Sequence, residues 1–304
     1  MLTLPFIHNK PPASLPSEDQ IEKPDEVLTD KIGRRVVRVG TQFIVKYGHT
    51  VNQIEAETMI FVKEATSIRI PEVYAVYQSE RDGMLYIVME YITGYTLVEQ
   101  WARLTQSEKI TIMDELKGQV DALRQLPDPG YFGGVGGQHM PNGIFWCSGE
   151  ADEEDPKSIT GPFKTEAELN EAFALKSIQI AEYNGRKGHR GHFYRRMLPQ
   201  VLKDHPAVFT HGDFQRKNII IRRRQPGLTL PQSGQLSQCS PEGGFEVVLV
   251  DWENAGWYPS YWEYCAASWA FWFDDDWPDM VERALEPNLV EYAWLSVIVG
   301  ELWS

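Results

Sequence analysis

Two short apolar runs, each attached to a carboxylate, constrain this chain more than anything else in it. The first, Ile219-Ile220-Ile221, is entered directly from His211-Gly212-Asp213-Phe214-Gln215-Arg216-Lys217-Asn218. The second, Val247-Val248-Leu249-Val250, ends in Asp251-Trp252-Glu253. Runs this short, β-branched and without polar interruption, read as strands buried on both faces. They place two carboxylates, Asp213 and Asp251, and the amide of Asn218 at the mouths of two adjacent strands. Phosphoryl transfer from a magnesium nucleotide needs such a set. One carboxylate orients the attacking hydroxyl and accepts its proton, while an amide oxygen and a second carboxylate hold hard cations between phosphate oxygens. Either half alone has an ordinary explanation, Asp213 as a turn cap and Asp251 as an Asx turn. Their coincidence with Asn218 at this spacing does not. His211 reads as a brace for the loop rather than an acid–base group.

A length of 304 residues allows two domains, or two lobes of one unit. The net charge of −14 argues against a nucleic-acid or anionic-membrane partner, because phosphate surfaces demand positive charge. Cys147, Cys239 and Cys265 form neither a disulfide framework nor a CxxC site. No leader opens the chain, no apolar run reaches the ~18 residues of a membrane helix, and there is no Asn-x-Ser/Thr acceptor. A reducing, cytoplasmic setting is the expectation.

Along the chain, residues 1–25 hold seven prolines or serines and read as an irregular N-terminal arm. Regular structure is expected from Arg34, with 35–39 and 42–47 as a hairpin around Gly40-Thr41. A helix over 51–65, a strand over 72–78 and a nearly continuous apolar strand over 84–92 follow. After Gly94 the pattern turns helical, over 96–103, 106–126 and 164–183, with a Gly- and acid-rich loop over 129–161. A basic patch covers 186–196. Residues 225–244 read as a mobile connection between the two strands described above. From Tyr261 the chain reads as tryptophan-rich helices. The organisation is α+β: a small strand-rich lobe over 26–93 and a larger, mostly helical one over 94–304.

The segment HGDFQRKN resembles the catalytic loop of the aminoglycoside phosphotransferase and choline kinase group, whose fold is protein-kinase-like. DWENAGWYPSYWEY resembles the metal-binding motif of that group's fungal members, with DWE in place of Asp-Phe-Gly, and GRRVVRVGTQFIVKYG and GPFKTEAELNEAF are similar to fungal sequences of this type. The resemblance runs over residues 30–300. It implies Asp213 as catalytic base, Asn218 as a magnesium and nucleotide ligand, Asp251 as the principal magnesium ligand, and ATP as donor. Lys46 is then expected to reach the α- and β-phosphates and complete the catalytic set. Its partner lies on the following helix, which offers Glu55 and Glu57. Two residues apart, they cannot both face Lys46; counting back from Pro71, Glu57 fits better and Glu55 stays open. The resemblance also places adenine against the backbone of Glu90 and Ile92, with Met89 at the back of the pocket. Nothing between Asp25 and Gly40 gives a G-x-G-x-x-G loop, and Gly33 falls before the first clear strand. A non-catalytic nucleotide-binding scaffold is therefore the alternative to an enzyme.

Substrate choice falls to the helical lobe. Residues 270–304 hold eight acidic residues against one arginine, with Asp274, Asp275 and Asp276 adjacent. Such a run reads first as a solvated face or helix cap, and second as an attractor for an amine-bearing acceptor. Trp262, Trp269, Trp272 and Trp277 read as packing residues, with an aromatic wall for a quaternary ammonium as the sharper alternative. His189 and His192 lack partners at ligand spacing, so no zinc site is expected. The short passage from Glu253 to Tyr261 leaves no room for the activation segment of a protein kinase. Together these readings describe an ATP- and Mg2+-dependent kinase acting on the hydroxyl of a small molecule.

Overall fold

In the computed structural model, which describes residues 2–8, 10–146, 157–224, 244–269 and 274–302, the chain forms two lobes. The first is strand-rich and holds β1 (Phe6–Ile7), α1 (Glu18–Glu22), β2 (Glu26–Lys31), β3 (Arg34–Val39), β4 (Phe43–Gly48), α2 (Gln53–Ala65), β5 (Val73–Gln78) and β6 (Leu85–Glu90). The second is mostly helical. It holds β7 (Tyr95–Thr96), α3 (Leu97–Gln100), α4 (Gln106–Arg124), α5 (Lys157–Thr160), α6 (Glu166–Tyr183), α7 (His189–Val201), β8 (Ala207–Thr210), β9 (Ile219–Arg223), β10 (Phe245–Leu249), β11 (Gly256–Pro259), α8 (Trp262–Trp269), α9 (Trp277–Ala284) and α10 (Leu289–Leu302). This is the α+β, protein-kinase-like arrangement that the resemblance implies.

The first lobe is one antiparallel sheet in the order β1-β5-β6-β4-β3-β2. Its register decides where Lys46 points. Val37 pairs with Val45, and both are fully buried on the outer face beside Tyr47, Tyr86 and Ile21 of α1. Lys46, one residue on, pairs with Val36 and Ile87 and projects to the opposite face. A one-residue slip would drive its ammonium into the apolar cluster, so the register is strongly specified.

Two sequence expectations need correction here. The arm over 1–25 is not irregular throughout: β1 pairs with β5, and α1, capped by Ser17 and Gln20, buries Ile21 against the sheet. Regular structure begins before Arg34, because β2 pairs with β3. β2 is exposed and charged, so it lacks the alternation that marks a half-buried strand. Gly33 consequently lies in the β2–β3 turn. That turn folds onto the end of β4, where its carbonyl accepts from the Thr50 N–H at 3.1 Å. Gly48 permits this approach, since a Cβ there would come within 2.0 Å of the Gly33 oxygen. The basic patch, finally, is largely helix, with Arg195 of α7 paired to Glu171 of α6 at 2.6 Å.

In the second lobe α4 buries Ile112, Met113, Leu116, Val120 and Leu123 on one side. At about 1.5–3 kcal/mol for each fully buried side chain, that stripe anchors α4 under β8, β10 and α9. The core it joins runs from Met59 and Val62 of α2 through Phe209, Phe214 and Trp252 to Trp277, so the lobes share one apolar interior. A second cluster packs Phe145, Phe173, Tyr194, Trp262 and Ile298. Trp262, Trp269 and Trp277 are packing residues there and in the first cluster; Trp272, Cys147, Cys239 and residues 225–243 lie outside the described residues. Cys265 is a buried thiol whose pKa burial pushes up. Among the described residues no helix is long and apolar enough to cross a membrane.

Candidate active site

Lys46 is 3% exposed and carries three carboxylates on its ammonium: Glu55 at 2.7 Å, Asp251 at 2.8 Å and Glu253 at 2.7 Å. Burial works against the charged ammonium, but the three acids more than offset it and hold its pKa above the ordinary value. Burial pushes Glu55 in the other direction, above the usual carboxylate range, with Lys46 opposing and Asp251 and Glu253 reinforcing. For Asp251 burial also disfavours the charge, yet Lys46 and then Arg34 keep it below its ordinary value. The structure pairs Lys46 with Glu55, correcting the preference for Glu57. Positions two apart on a helix point about 200° away from each other. Glu57 faces the N-terminal arm, where it accepts from the Leu2 N–H, from Gln53 at 2.8 Å and from Gln138.

Asp213 and Asn218 lie on a loop braced from below. Gly212 adopts φ +78°, with the Asn254 carbonyl 2.5 Å from where a Cβ would stand, so only glycine fits this turn. Glu263, buried at the start of α8, accepts from the His211 N–H at 2.6 Å and the Gly212 N–H at 3.0 Å. Sequence reasoning missed Glu263, although a carboxylate inside the apolar run Tyr261–Ala267 is costly unless paired and so was a visible signal. His211 braces the loop as expected. The Asp213 N–H donates to its Nδ1 at 3.3 Å, which leaves Nε2–H to donate to the Val250 carbonyl at 3.2 Å. The Asp213 carboxylate accepts from Asn218 Nδ2 at 2.7 Å and from Gln215, with Lys217 at 3.3 Å. Backbone pairing then carries the loop to the next strand: the Val250 N–H donates to the Asn218 carbonyl at 2.9 Å, and Ile219 pairs with Leu249. Asp251 follows with φ +64°, a left-handed conformation that costs a residue with a Cβ about 1 kcal/mol. Asp213, Asn218, Asp251, Lys46 and Glu55 thus form one continuous constellation across both lobes.

The donor set suits a hard cation. Asn218 gives its amide N–H to Asp213 and Asp251 meets Lys46 through Oδ1, so among the described residues Asn218 Oδ1 and Asp251 Oδ2 take no hydrogen bond. Two oxygens and no sulfur or imidazole are what magnesium prefers. Glu55, Asp251 and Glu253 also come within 4.8 Å of one another, but the Lys46 ammonium already fills that position.

Between the lobes, Met89 is buried and Ile92 half-buried. The Glu90 N–H is taken by the Glu72 carbonyl at 2.8 Å and its carboxylate by Arg69, whereas the Ile92 N–H has no backbone partner among the described residues. The acidic run near 275 is used internally. Asp275 pairs with Arg216 of the loop that carries Asp213 at 2.6 Å, and Asp276 takes Lys109 at 2.7 Å and the Trp101 indole N–H at 3.0 Å.

Comparisons with known proteins bear on family and fold. A sequence model of the "Phosphotransferase enzyme family" matches residues 26–229. The fold is similar to that of ADP-bound aminoglycoside phosphotransferase APH(2'')-Ib, at 16% identity and TM-score 0.56, over 94% of this chain and 83% of that one. It is also similar to the streptomycin–ATP–APH(2'')-IIa ternary complex, at 16% identity and TM-score 0.52, over 92% and 83%. At such identities the likeness concerns the fold. No curated protein matches the chain.

Proposed function

The chain belongs to the phosphotransferase enzyme family, and from that premise we propose that it transfers the terminal phosphoryl group of ATP, with Mg2+, to a hydroxyl of a small molecule. One observation carries the reading. The β9–β10 register brings Asn218 beside Asp251, while Lys46 spans from the other lobe to Asp251. Asp213 aligns the acceptor hydroxyl and takes its proton; its two oxygens offer about four acceptor positions, so the bonds from Gln215 and Asn218 leave room for a substrate O–H. Lys46, oriented by Glu55, holds the donor phosphates. Magnesium, when bound by Asn218 Oδ1 and Asp251 Oδ2, supplies charge neutralisation between phosphate oxygens. A small acceptor is favoured because the chain passes from Asn254 directly into β11, paired with β8, and on into α8, which leaves no peptide-docking segment. A non-catalytic scaffold is disfavoured by the ordered β2–β3 hairpin at the site and by the survival of every member of the constellation.

The test is a pair of variants. Asp213→Asn should lose turnover by about 10²–10⁴ while keeping nucleotide affinity, and Asp251→Ala should lose magnesium-dependent nucleotide binding in calorimetry. Full turnover by the Asp213 variant would sink the assignment.

A further inference from the structure

One oxygen in the site is held in an unusual way. Glu253 Oε2 accepts from Lys46 Nζ at 2.7 Å and from Arg34 Nη1. Both cations come from the same face of the sheet. Val36 pairs with Lys46, and Arg34, two residues before Val36, shares its side. Arg34 also immediately follows the β2–β3 turn, where phosphates would be covered by a glycine-rich loop that this chain lacks.

Two cations converging on one anionic oxygen make a phosphate-binding geometry. We propose that Arg34 is the second cation of the donor-phosphate site and that the Glu253 carboxylate is its placeholder, occupying the position of a phosphate oxygen until the nucleotide displaces it. The inference rests on the donor-site reading above and adds a residue to it. The charge balance supports an exchange rather than an addition. Lys46 and Arg34 face three acids, Glu55, Asp251 and Glu253, so neither cation is free for a nucleotide anion while Glu253 stays in place. Once the Glu253 carboxylate swings out, two cations from adjacent strands face the phosphate chain. Side-chain guanidinium then does the work that backbone N–H groups do in a glycine-rich loop.

Calorimetry on the full chain tests this with three probes: adenosine, ADP in chelator without magnesium, and magnesium–AMP-PNP. Arg34→Met should weaken magnesium–AMP-PNP binding about ten- to a hundredfold and leave adenosine affinity within about twofold, with Arg34→Lys recovering part of the loss. Glu253→Gln should tighten magnesium-free ADP severalfold, since a competing anion is gone. Unchanged AMP-PNP binding by Arg34→Met, an equal loss of adenosine and AMP-PNP, or weaker ADP binding by Glu253→Gln overturns the proposal alone. A wild type that binds neither adenosine nor AMP-PNP overturns the donor-site reading and this proposal with it.

Discussion

Lys46 and Arg216 both sit among carboxylates, but their surroundings are balanced differently. Around Arg216 the two acids of the run that are in contact, Asp275 and Asp276, each have their own cation. Asp275 pairs with Arg216 and caps the Trp277 N–H at 2.9 Å, while Asp276 pairs with Lys109. The Trp101 and Trp277 rings cover the guanidinium at 5.4 and 5.3 Å. The cluster acts as a joint fastening the loop that carries Asp213 to α9. Around Lys46 three acids and two cations share atoms, so the acids outnumber the cations that hold them. Acidic density alone does not mark a functional site. Acids that outnumber the cations they share are the stronger pointer, because balanced pairs serve structure alone.

The sharpest way to break this contrast is Lys46→Met. Removing the shared cation leaves Glu55, which is buried, and Asp251 without an ion-pair partner and Glu253 with Arg34 alone, so a loss of about 3–5 kcal/mol is expected in denaturant unfolding. Adding Glu55→Gln should recover part of it. Arg216→Met should cost less, about 1–2 kcal/mol, because its ion pair is partly exposed and its ring contacts are worth under about 1 kcal/mol each. It should still lower turnover by loosening the loop that carries Asp213, with adenosine binding retained. Equal stability losses in the two variants would erase the distinction.

The smallest effect is pH-dependent. Burial disfavours the Asp276 charge, but Lys109 and the Trp101 N–H outweigh it and hold its pKa below the ordinary 3.8. The folded protein therefore binds that proton less readily than the unfolded chain does, and the stabilisation is present above 3.8 and lost as pH falls through the folded value. The difference in melting temperature between wild type and Asp276→Asn should be steady from neutral pH to about pH 5 and close in more acid solution.

The Asp213 loop and the Asp251 strand were readable because an apolar run that ends in a carboxylate has few structural explanations. The glutamate that pairs with Lys46 was not. α2 is buried on both sides over Ile54–Met59, since Leu2 and Leu4 of the arm pack against the same core, so the apolar stripe could not reveal its rotation. β2 escaped because an edge strand bearing Glu26, Asp30 and Lys31 has the composition of a loop.

The sequence by itself determined which groups stand at the strand mouths, since side-chain order along a strand follows from the alternation of the backbone. Only the tertiary structure decided which charges meet. Lys46 and Asp251 are 205 residues apart, and Arg34 and Glu253 are 219 apart. Their pairing depends on how the β2–β3 turn folds onto β4 and how the two lobes pack on their shared core. Local propensity carries no record of such packing, and Coulomb energy at a few ångströms depends on it entirely.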